Sequence, residues 1–250
     1  MRARGAAFKR HCPKTWLVFL GTALIVALAG GAQSQAQDGA RSQLEAGKII
    51  VTSHSVPGSS GKQAGMIAII KAPPEMVWQI ITDVNNYQFF MPRILKSMAV
   101  APEKIPPIVQ LRPKSAEQVE KLLGSTPANP DNYRIPGGKY TVYHYSNLNF
   151  PWPCSNRWYI VKVVQDETRA TQHDYHLSWL LVIGNLRENS GEWLLEPYGN
   201  NQTKAIYRLQ TDPGGMIPGF LIKEGTNTTM PQIIKAIRTR AAKLLPLRQP

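Results

Sequence analysis

PWPCSNRWYIVKV, residues 151–163, decides the fold, because a turn-rich opening leads directly into a strand that begins with a cation. Side chains alternate across a strand. One face carries Arg157, Tyr159, Val161 and Val163, and the other carries Trp158, Ile160, Lys162 and Val164. Lys162 indicates that the second face is the outer one. The first face is therefore predicted to point inward.

The inward-facing cation, Arg157, needs a partner if it is buried. An unpaired buried charge costs several kcal/mol, so a carboxylate or an anionic ligand would have to neutralise it. A guanidinium can hold a phosphate or a carboxylate with two parallel hydrogen bonds. Arg157 is also the first residue of its strand and can point to water. The pattern alone leaves these alternatives open.

Three later strands alternate in the same way, in the stretches 173–181, 191–197 and 203–209. Each offers one apolar, aromatic-rich face. The inward members that we expect to line one concavity are Arg157, Tyr159, Val161, Tyr175, Leu177, Trp179, Trp193 and Tyr207. On the strand pattern alone, a filled core is favoured over a ligand cavity.

The order of the elements predicts the fold class. Strands at 48–55 and 65–72 precede a helix over 72–84, a short helix or turn and a strand at 94–100. Strands dominate from Lys139, and the pattern turns helical after Asp212. This order predicts an α+β fold in which a curved antiparallel sheet grips one long C-terminal helix. We expect one domain over 48–245.

Two segments interrupt that regular order. Residues 101–138 are rich in proline and contain one short amphipathic stretch, so they predict an ordered or semi-ordered insertion and not a second domain. Pro231 falls within the C-terminal helical pattern, where it should interrupt or kink the helix.

The N-terminal segment has the layout of a secretory signal peptide. Five basic residues precede the apolar run Trp16–Ala29, and Ala36 offers a cleavage site. Fourteen residues rise only about 21 Å as a helix, less than the ~30 Å hydrocarbon core. We predict a cleaved leader over 1–36, a flexible lead-in over 37–47 and an exported protein, periplasmic in a Gram-negative source. An uncleaved N-terminal anchor is the alternative.

Charge and cysteine content limit the partners. The chain has 29 basic and 16 acidic residues, and removing the five basic residues of the leader leaves 24, a net charge of +8. This favours anionic surfaces, but no dense basic run indicates nucleic acid. The last helix predicts a basic face of Lys235, Arg238, Arg240 and Lys243. Transient membrane contact and a solvated face both fit it. Cys154 is the only cysteine after the leader, so no internal disulfide forms, and we expect a monomer.

The chemistry-bearing residues form no recognisable catalytic or metal pattern. His173 and His176 lie three apart on a predicted strand, so they point to opposite faces and cannot easily share one ion. The sequence has no nucleophile elbow, no zinc-protease helix and no glycine-rich phosphate loop. We therefore predict no catalytic residues, metal or cofactor. An enzyme would need an acid–base pair such as Tyr159 or His144 with Asp174, and Asp174 falls on the outer face.

Two motifs resemble the START lipid-transfer family, within the helix-grip superfamily of Bet v 1-like proteins and polyketide cyclases. The first motif matches at Pro151, Pro153, Ser155, Asn156, Arg157 and Tyr159, and the second at Pro213, Gly214, Gly215, Ile217, Pro218 and Leu221, with Met230-Pro231 following. Trp158 stands where phosphatidylcholine-binding members have aspartate. The order of elements agrees over about residues 48–245.

The resemblance implies a hydrophobic tunnel between the sheet and the C-terminal helix, with one lipid inside. It implies a lid made by that helix and a loop around 184–190, adds Ile217 and Leu221 to the lining, and gives Arg157 contact with a lipid phosphate. We therefore expect a non-enzymatic, exported START-type protein that carries or senses a lipid or other hydrophobic ligand. The alternatives are a cyclase or dehydratase on the same scaffold and a quinone-binding helper protein.

Overall fold

The computed structural model describes residues 38–55, 62–150, 154–214 and 225–248. All strands in the described residues belong to one compact unit, Gln43–Pro250. The other unit is Met1–Ser42, and its described part is the beginning of helix α1, residues 38–45. A helix therefore occupies most of the predicted flexible lead-in. The predicted leader lies outside the described residues.

The described strands form a single curved antiparallel sheet. They are β1 Ile50–Ser55, β2 Lys62–Ile70, β3 Ile94–Val100, β4 Lys139–Leu148, β5 Arg157–Asp166, β6 Tyr175–Gly184, β7 Glu188–Tyr198 and β8 Gln202–Asp212. Their order across the sheet is β1-β2-β8-β7-β6-β5-β4-β3. This arrangement places β1 and β3 at the edges, and it pairs β2 with the last strand, β8.

In the described part of the chain, four further α-helices accompany the sheet: α2 Pro74–Thr82, α3 Ile105–Leu111, α4 Ala116–Leu123 and α5 Met230–Leu244. A 3₁₀ segment, Val84–Phe89, follows α2. Pro231 is the second residue of α5, which directly follows a π-helical turn, Gly225–Thr229. The prediction that Pro231 interrupts or kinks the helical pattern agrees with the change from π to α winding beside it.

The main core lies between α2, α5 and the inner face of the sheet. Val77 and Ile81 of α2, and Ile234 and Ile237 of α5, are almost completely buried there. They recur at the three- and four-residue spacing that gives a helix one apolar face. Burial of that face at about 25 cal/mol per Å² holds both helices against the sheet.

The insertion 101–138 forms a second apolar layer on the outer face of β3, β4 and β5. Ile108 of α3 and Val119 and Leu123 of α4 pack there against Trp158 and Ile160. Lys162 is exposed, as predicted, but Trp158 and Ile160 are buried beneath the insertion. This is the outer face of the sheet, as predicted, but α3 and α4 cover it on the first half of β5, which the strand pattern did not indicate.

Polar contacts fix the same layer to the sheet. Ser115 caps the N-terminus of α4 by accepting a hydrogen bond from the Gln118 amide. The Glu120 carboxylate accepts hydrogen bonds from Tyr145 Oη at 2.9 Å and from Asn147 Nδ2 at 3.2 Å, and pairs with Lys96 at 3.0 Å. The insertion is therefore an integral part of the domain.

Candidate functional site

A cavity of about 340 Å³ lies between the inner face of the sheet, the 3₁₀ segment after α2 and the beginning of α5. The described part of its wall is mainly aliphatic and aromatic. Its few polar groups come chiefly from β4, β5 and β7. This composition, apolar with a small number of placed polar groups, is typical of a small-molecule site.

Six of the ten residues predicted to bind ligand line this cavity: Tyr159, Val161, Leu177, Trp179, Trp193 and Tyr207. Tyr175 does not belong to the described wall; its ring stacks on Trp78 of α2 with centroids 5.1 Å apart. Ile217 and Leu221 lie outside the described residues. Their predicted ligand contacts remain predictions.

The structure does not bring Arg157 to the described cavity wall. Its Nε donates to the Pro213 carbonyl at 2.8 Å, and its other nitrogens donate to Ser155 O at 2.6 Å, Ser155 Oγ at 3.0 Å and Gly214 O at 3.3 Å. The residue is 7 % exposed, and its guanidinium lies 5.3 Å from the Phe150 ring. These contacts join the beginning of β5 to the segment after β8, which is a structural role.

Aromatic rings form one continuous section of the wall. Tyr207 stacks on Trp179 with centroids 5.7 Å apart and lies 4.5 Å from Trp193. Trp179 Nε1 donates to Asn189 Oδ1 at 2.9 Å. The Trp179 ring also covers the backbone of Gly191, where an added Cβ would collide with the indole. Glycine at 191 therefore fixes the position of this ring.

A buried histidine and two serines form a polar group on β3 and β4. His144 Nε2 lies 2.7 Å from Ser97 Oγ and 3.0 Å from Ser146 Oγ. Ser97 Oγ donates its single hydrogen to the Val84 carbonyl, so Nε2 must carry the hydrogen shared with Ser97. Burial lowers the pKa of His144 to about 3. The imidazole is therefore neutral at physiological pH, with Nδ1 unprotonated.

The tyrosine hydroxyls of the cavity are also held neutral. Burial raises the pKa of Tyr159, although the side chains of Ser146 and Asn189 oppose the rise. Burial likewise raises the pKa values of Tyr87 and Tyr207, and the nearby Tyr159 hydroxyl raises both further. The interior of the site consequently offers neutral hydrogen-bonding groups.

One cation does line the cavity, and sequence reasoning missed it. Arg93 begins the approach to β3 in a left-handed conformation, with φ 60°, and its Nε donates to Thr229 Oγ1 at 3.1 Å. No sequence signal distinguished Arg93, because the stretch around it was interpreted only as a short helix or turn. A signal did exist for His144 and Ser146, since both share the apolar face of Val142 on β4.

The acid–base pair that an enzyme would need is not assembled. His144 and Tyr159 line the cavity, whereas Asp174 lies outside the described wall and pairs with Arg169 at 2.8 Å. His173 contacts Glu75, and His176 Nε2 lies 3.1 Å from Glu192 Oε2. Within the described ranges, no three His, Cys, Asp or Glu side chains converge on a possible metal site.

The predicted lid loop is short and tied to β5. Gly184 ends β6 and Glu188 begins β7, so only residues 185–187 connect them. Asn185 accepts a hydrogen bond from Trp158 N at 2.8 Å and donates to Asn156 O at 3.0 Å, while Leu186 lines the cavity. Whether this loop opens to admit a ligand remains a prediction.

Comparison with known proteins places the chain in a family. The family model described as polyketide cyclase / dehydrase and lipid transport matches residues 70–238, more than half of the chain. The chain belongs to this family. The description joins cyclases and dehydrases with lipid transport, so membership supports binding of a hydrophobic ligand without deciding between the two activities.

Relatives of this family member are distant. An uncharacterized Pseudomonas aeruginosa protein, PA1579, is 29 % identical over 109 residues, which cover 41 % of this chain and 54 % of that protein. The chain therefore matches about half the length of this curated relative. The match does not reach the whole of either protein.

Two solved structures share the fold. The STAR-related lipid transfer protein from Xanthomonas axonopodis is 20 % identical, with 78 % of this chain and 93 % of that chain covered, at a TM-score of 0.56. Human STARD10 is 12 % identical, with 80 % and 72 % covered, at a TM-score of 0.55. The predicted α+β, START-like helix-grip fold is confirmed.

Proposed function

We propose that this family member is an exported protein that binds one lipid or other hydrophobic molecule in the cavity and carries or senses it, without catalysing a reaction on it. The observation that carries the proposal is the apolar, aromatic-lined cavity enclosed between the sheet and α5. Burial of an apolar ligand body at about 25 cal/mol per Å² favours binding with little polar chemistry.

The cavity size supports a compact ligand. At about 340 Å³, the described cavity lies near the lower end of the roughly 300–1,000 Å³ typical of drug-sized ligand sites. This volume favours a single-chain or ring-shaped molecule over a bulky two-chain lipid. A quinone is a ring-shaped molecule of this kind, so the cavity volume is also compatible with a quinone-binding helper protein.

An enzymatic function is the second candidate, and His144 is the observation that favours it, because it lines the cavity. An efficient general base has a pKa near the working pH. Burial lowers the pKa of His144 to about 3, and Asp174 is engaged by Arg169 outside the wall. Binding without catalysis therefore fits the side chains better.

Native mass spectrometry of the protein purified from its own cell envelope tests the proposal. We expect a one-to-one adduct on a monomer, and organic extraction should identify it as a neutral or amphipathic hydrophobic molecule. A clean apo mass that persists after incubation with envelope lipids would contradict ligand binding. Turnover of the bound molecule by the purified protein would favour the cyclase or dehydratase alternative.

Export has a separate test. N-terminal sequencing of the protein from an envelope fraction should find Gln37 as its first residue, because the apolar run and the small residues before it fit a cleaved leader. An intact N-terminus on a membrane-bound protein would favour the anchor alternative. Among the helices that the structure describes, none is long and apolar enough to cross a membrane.

We propose only a weak contact of α5 with membranes. Arg238 donates to the Ile69 and Gly47 carbonyls, and Arg240 lies 3.8 Å from Asp83 and over the Phe90 ring. Of the four predicted basic residues, Lys235 and Lys243 are exposed. Co-sedimentation with anionic vesicles should therefore be low and salt-sensitive. Strong binding that survives high salt would contradict this proposal.

A further inference from the structure

Three neutral polar side chains meet within the apolar cavity. Ser146 of β4 and Tyr159 of β5 are direct partners in the strand register, and Asn189 comes from β7. All three line the cavity. Ser146 and Asn189 lie near enough to the Tyr159 hydroxyl to lower its pKa, against the larger effect of burial.

The hydrogen atoms of this group can be assigned from its neighbours. The Trp179 indole is only a donor, so the Asn189 atom 2.9 Å from it is the oxygen, and the amide N–H groups face away from that bond. Because His144 Nε2 carries the hydrogen shared with Ser97, it has no lone pair to accept from Ser146, and Ser146 Oγ keeps its own hydroxyl hydrogen to donate.

The group therefore presents donors: the Tyr159 and Ser146 hydroxyls and the Asn189 amide. A buried donor without an acceptor loses the hydrogen bond that it makes with water, so donors that face a cavity select a ligand that supplies an acceptor. None of the three side chains carries a charge. An acceptor that is itself uncharged loses little on leaving water, whereas an isolated carboxylate loses far more.

We propose that Tyr159, Ser146 and Asn189 bind an uncharged oxygen, a carbonyl or hydroxyl, on the buried end of the hydrophobic ligand. This inference rests on the proposed function, since it names the class of molecule that the same cavity takes. Arg93 defines the competing arrangement, because an anionic head would be drawn to that cation beside Thr229.

Binding of three matched twelve-carbon probes to the purified full chain tests the inference. The probes are 1-dodecanol, dodecane and dodecanoate, followed by tryptophan fluorescence, since Trp179 and Trp193 line the cavity. We expect 1-dodecanol to bind about tenfold more tightly than dodecane, and dodecanoate to bind more weakly than 1-dodecanol. Tyr159→Phe should reduce the preference for dodecanol over dodecane by about three- to tenfold, with dodecane affinity unchanged.

Two further variants make the result specific. Tyr143→Phe is the matched control, because Tyr143 lies on β4 but packs on the outer apolar layer, so the preference should stay unchanged. Ser146→Ala should also reduce the preference for dodecanol over dodecane. This variant replaces Tyr159→Phe as the test if Tyr159→Phe does not fold. Thermal unfolding of each variant establishes that it is folded.

The outcomes separate this inference from the proposed function. If no probe binds, the proposed function and the inference both fail. If dodecane and dodecanol bind equally, or Tyr159→Phe and Ser146→Ala keep the full preference, the inference fails and the proposed function stands. If dodecanoate binds more tightly than 1-dodecanol and this advantage disappears in Arg93→Gln, the inference also fails, and the anionic head binds at Arg93.

Discussion

The Trp78 indole nitrogen on α2 lies 2.9 Å from Glu167 Oε1, just beyond the end of β5 and 89 positions away in the chain. Glu167 is 2 % exposed and also accepts hydrogen bonds from Tyr140 Oη at 2.6 Å and from Arg134 Nε at 3.0 Å. One carboxylate thus joins α2, β4 and the end of the insertion. Because Arg134 is about half exposed, its ion pair with Glu167 is screened by water, and the neutral donors Trp78 and Tyr140 contribute much of the stabilisation.

Glu167→Gln should lower the free energy of unfolding by about 2–4 kcal/mol, because an amide presents N–H groups to donors that need an acceptor. Asp166→Asn is the matched control on the neighbouring residue. Asp166 pairs with the exposed Lys139 at 3.0 Å, so its loss should amount to less than ~1 kcal/mol. Urea unfolding measures both. Equal losses would contradict the role given to Glu167.

Arg157→Ala tests whether this arginine is structural or binds ligand. It removes the donors to Pro213, Gly214 and Ser155, so we expect the free energy of unfolding to fall by about 2–4 kcal/mol. Arg157→Lys should restore only part of this, since an ammonium lacks the planar fork. Probe affinity, measured well below the melting temperature, should not change. Unchanged stability with lost affinity for dodecanoate would instead support the role implied by the START resemblance.

Acid should destabilise the fold through His144. The pKa of His144 is lowered to about 3 in the folded state, against about 6.5 in an unfolded chain. The unfolded state therefore binds more protons between these values. Stability is fully present above about pH 6.5 and falls as the pH drops towards 3. We expect a loss of about 2 kcal/mol between pH 7 and pH 5 from this group.

Protonation of Glu167 should lower the free energy of unfolding further at lower pH. Burial by itself raises the pKa of Glu167, but hydrogen bonds from Arg134, Tyr140 and Trp78 outweigh it and lower the pKa. Its contribution is present above about pH 4.5 and disappears below that value. Urea unfolding from pH 7 to pH 4 should show a smaller slope in His144→Asn than in the matched variant of the half-exposed histidine, His176→Asn. Identical slopes would contradict the assignment to His144.

The outer layer has a test in two adjacent leucines of α4. Leu123 is 1 % exposed and packs on the outer face of the sheet, whereas Leu122 is 40 % exposed. Leu123→Ala should lower the free energy of unfolding by about 2–4 kcal/mol, and Leu122→Ala by less than ~1 kcal/mol. Guanidinium unfolding measures both. Similar values would mean that the insertion does not stabilise the sheet.

The sequence was sufficient to predict the strands of the sheet and the side chains on its inner face. The strand at 94–100 has the predicted bounds, and alternation placed Tyr159, Trp179 and Tyr207 on the side that encloses the cavity. Period-2 alternation reports which side chains share a face, and that is fixed locally by the pleat.

The outer layer and the two arginines could not be predicted so well. The amphipathic stretch that forms α4 was recognised, but the sequence did not indicate that its apolar face packs on Trp158 and Ile160 of the outer face. Arg157 and Arg93 differ in what surrounds them, namely backbone carbonyls after β8 and the cavity wall. These surroundings arise from segments distant in sequence, which a local pattern does not report.

The burial of both faces at the beginning of β5 has a consequence for strand alignment. In a sheet with one wet face, a slip of one residue exposes apolar side chains, and this penalty specifies the pairing. Between Trp158 and Val161 both faces are largely dry, so this penalty is weak there. Arg157 before this stretch and Glu167 after β5 each have partners that only one alignment supplies. These two charged residues therefore specify the alignment of β5, the strand that is covered by apolar layers on both faces.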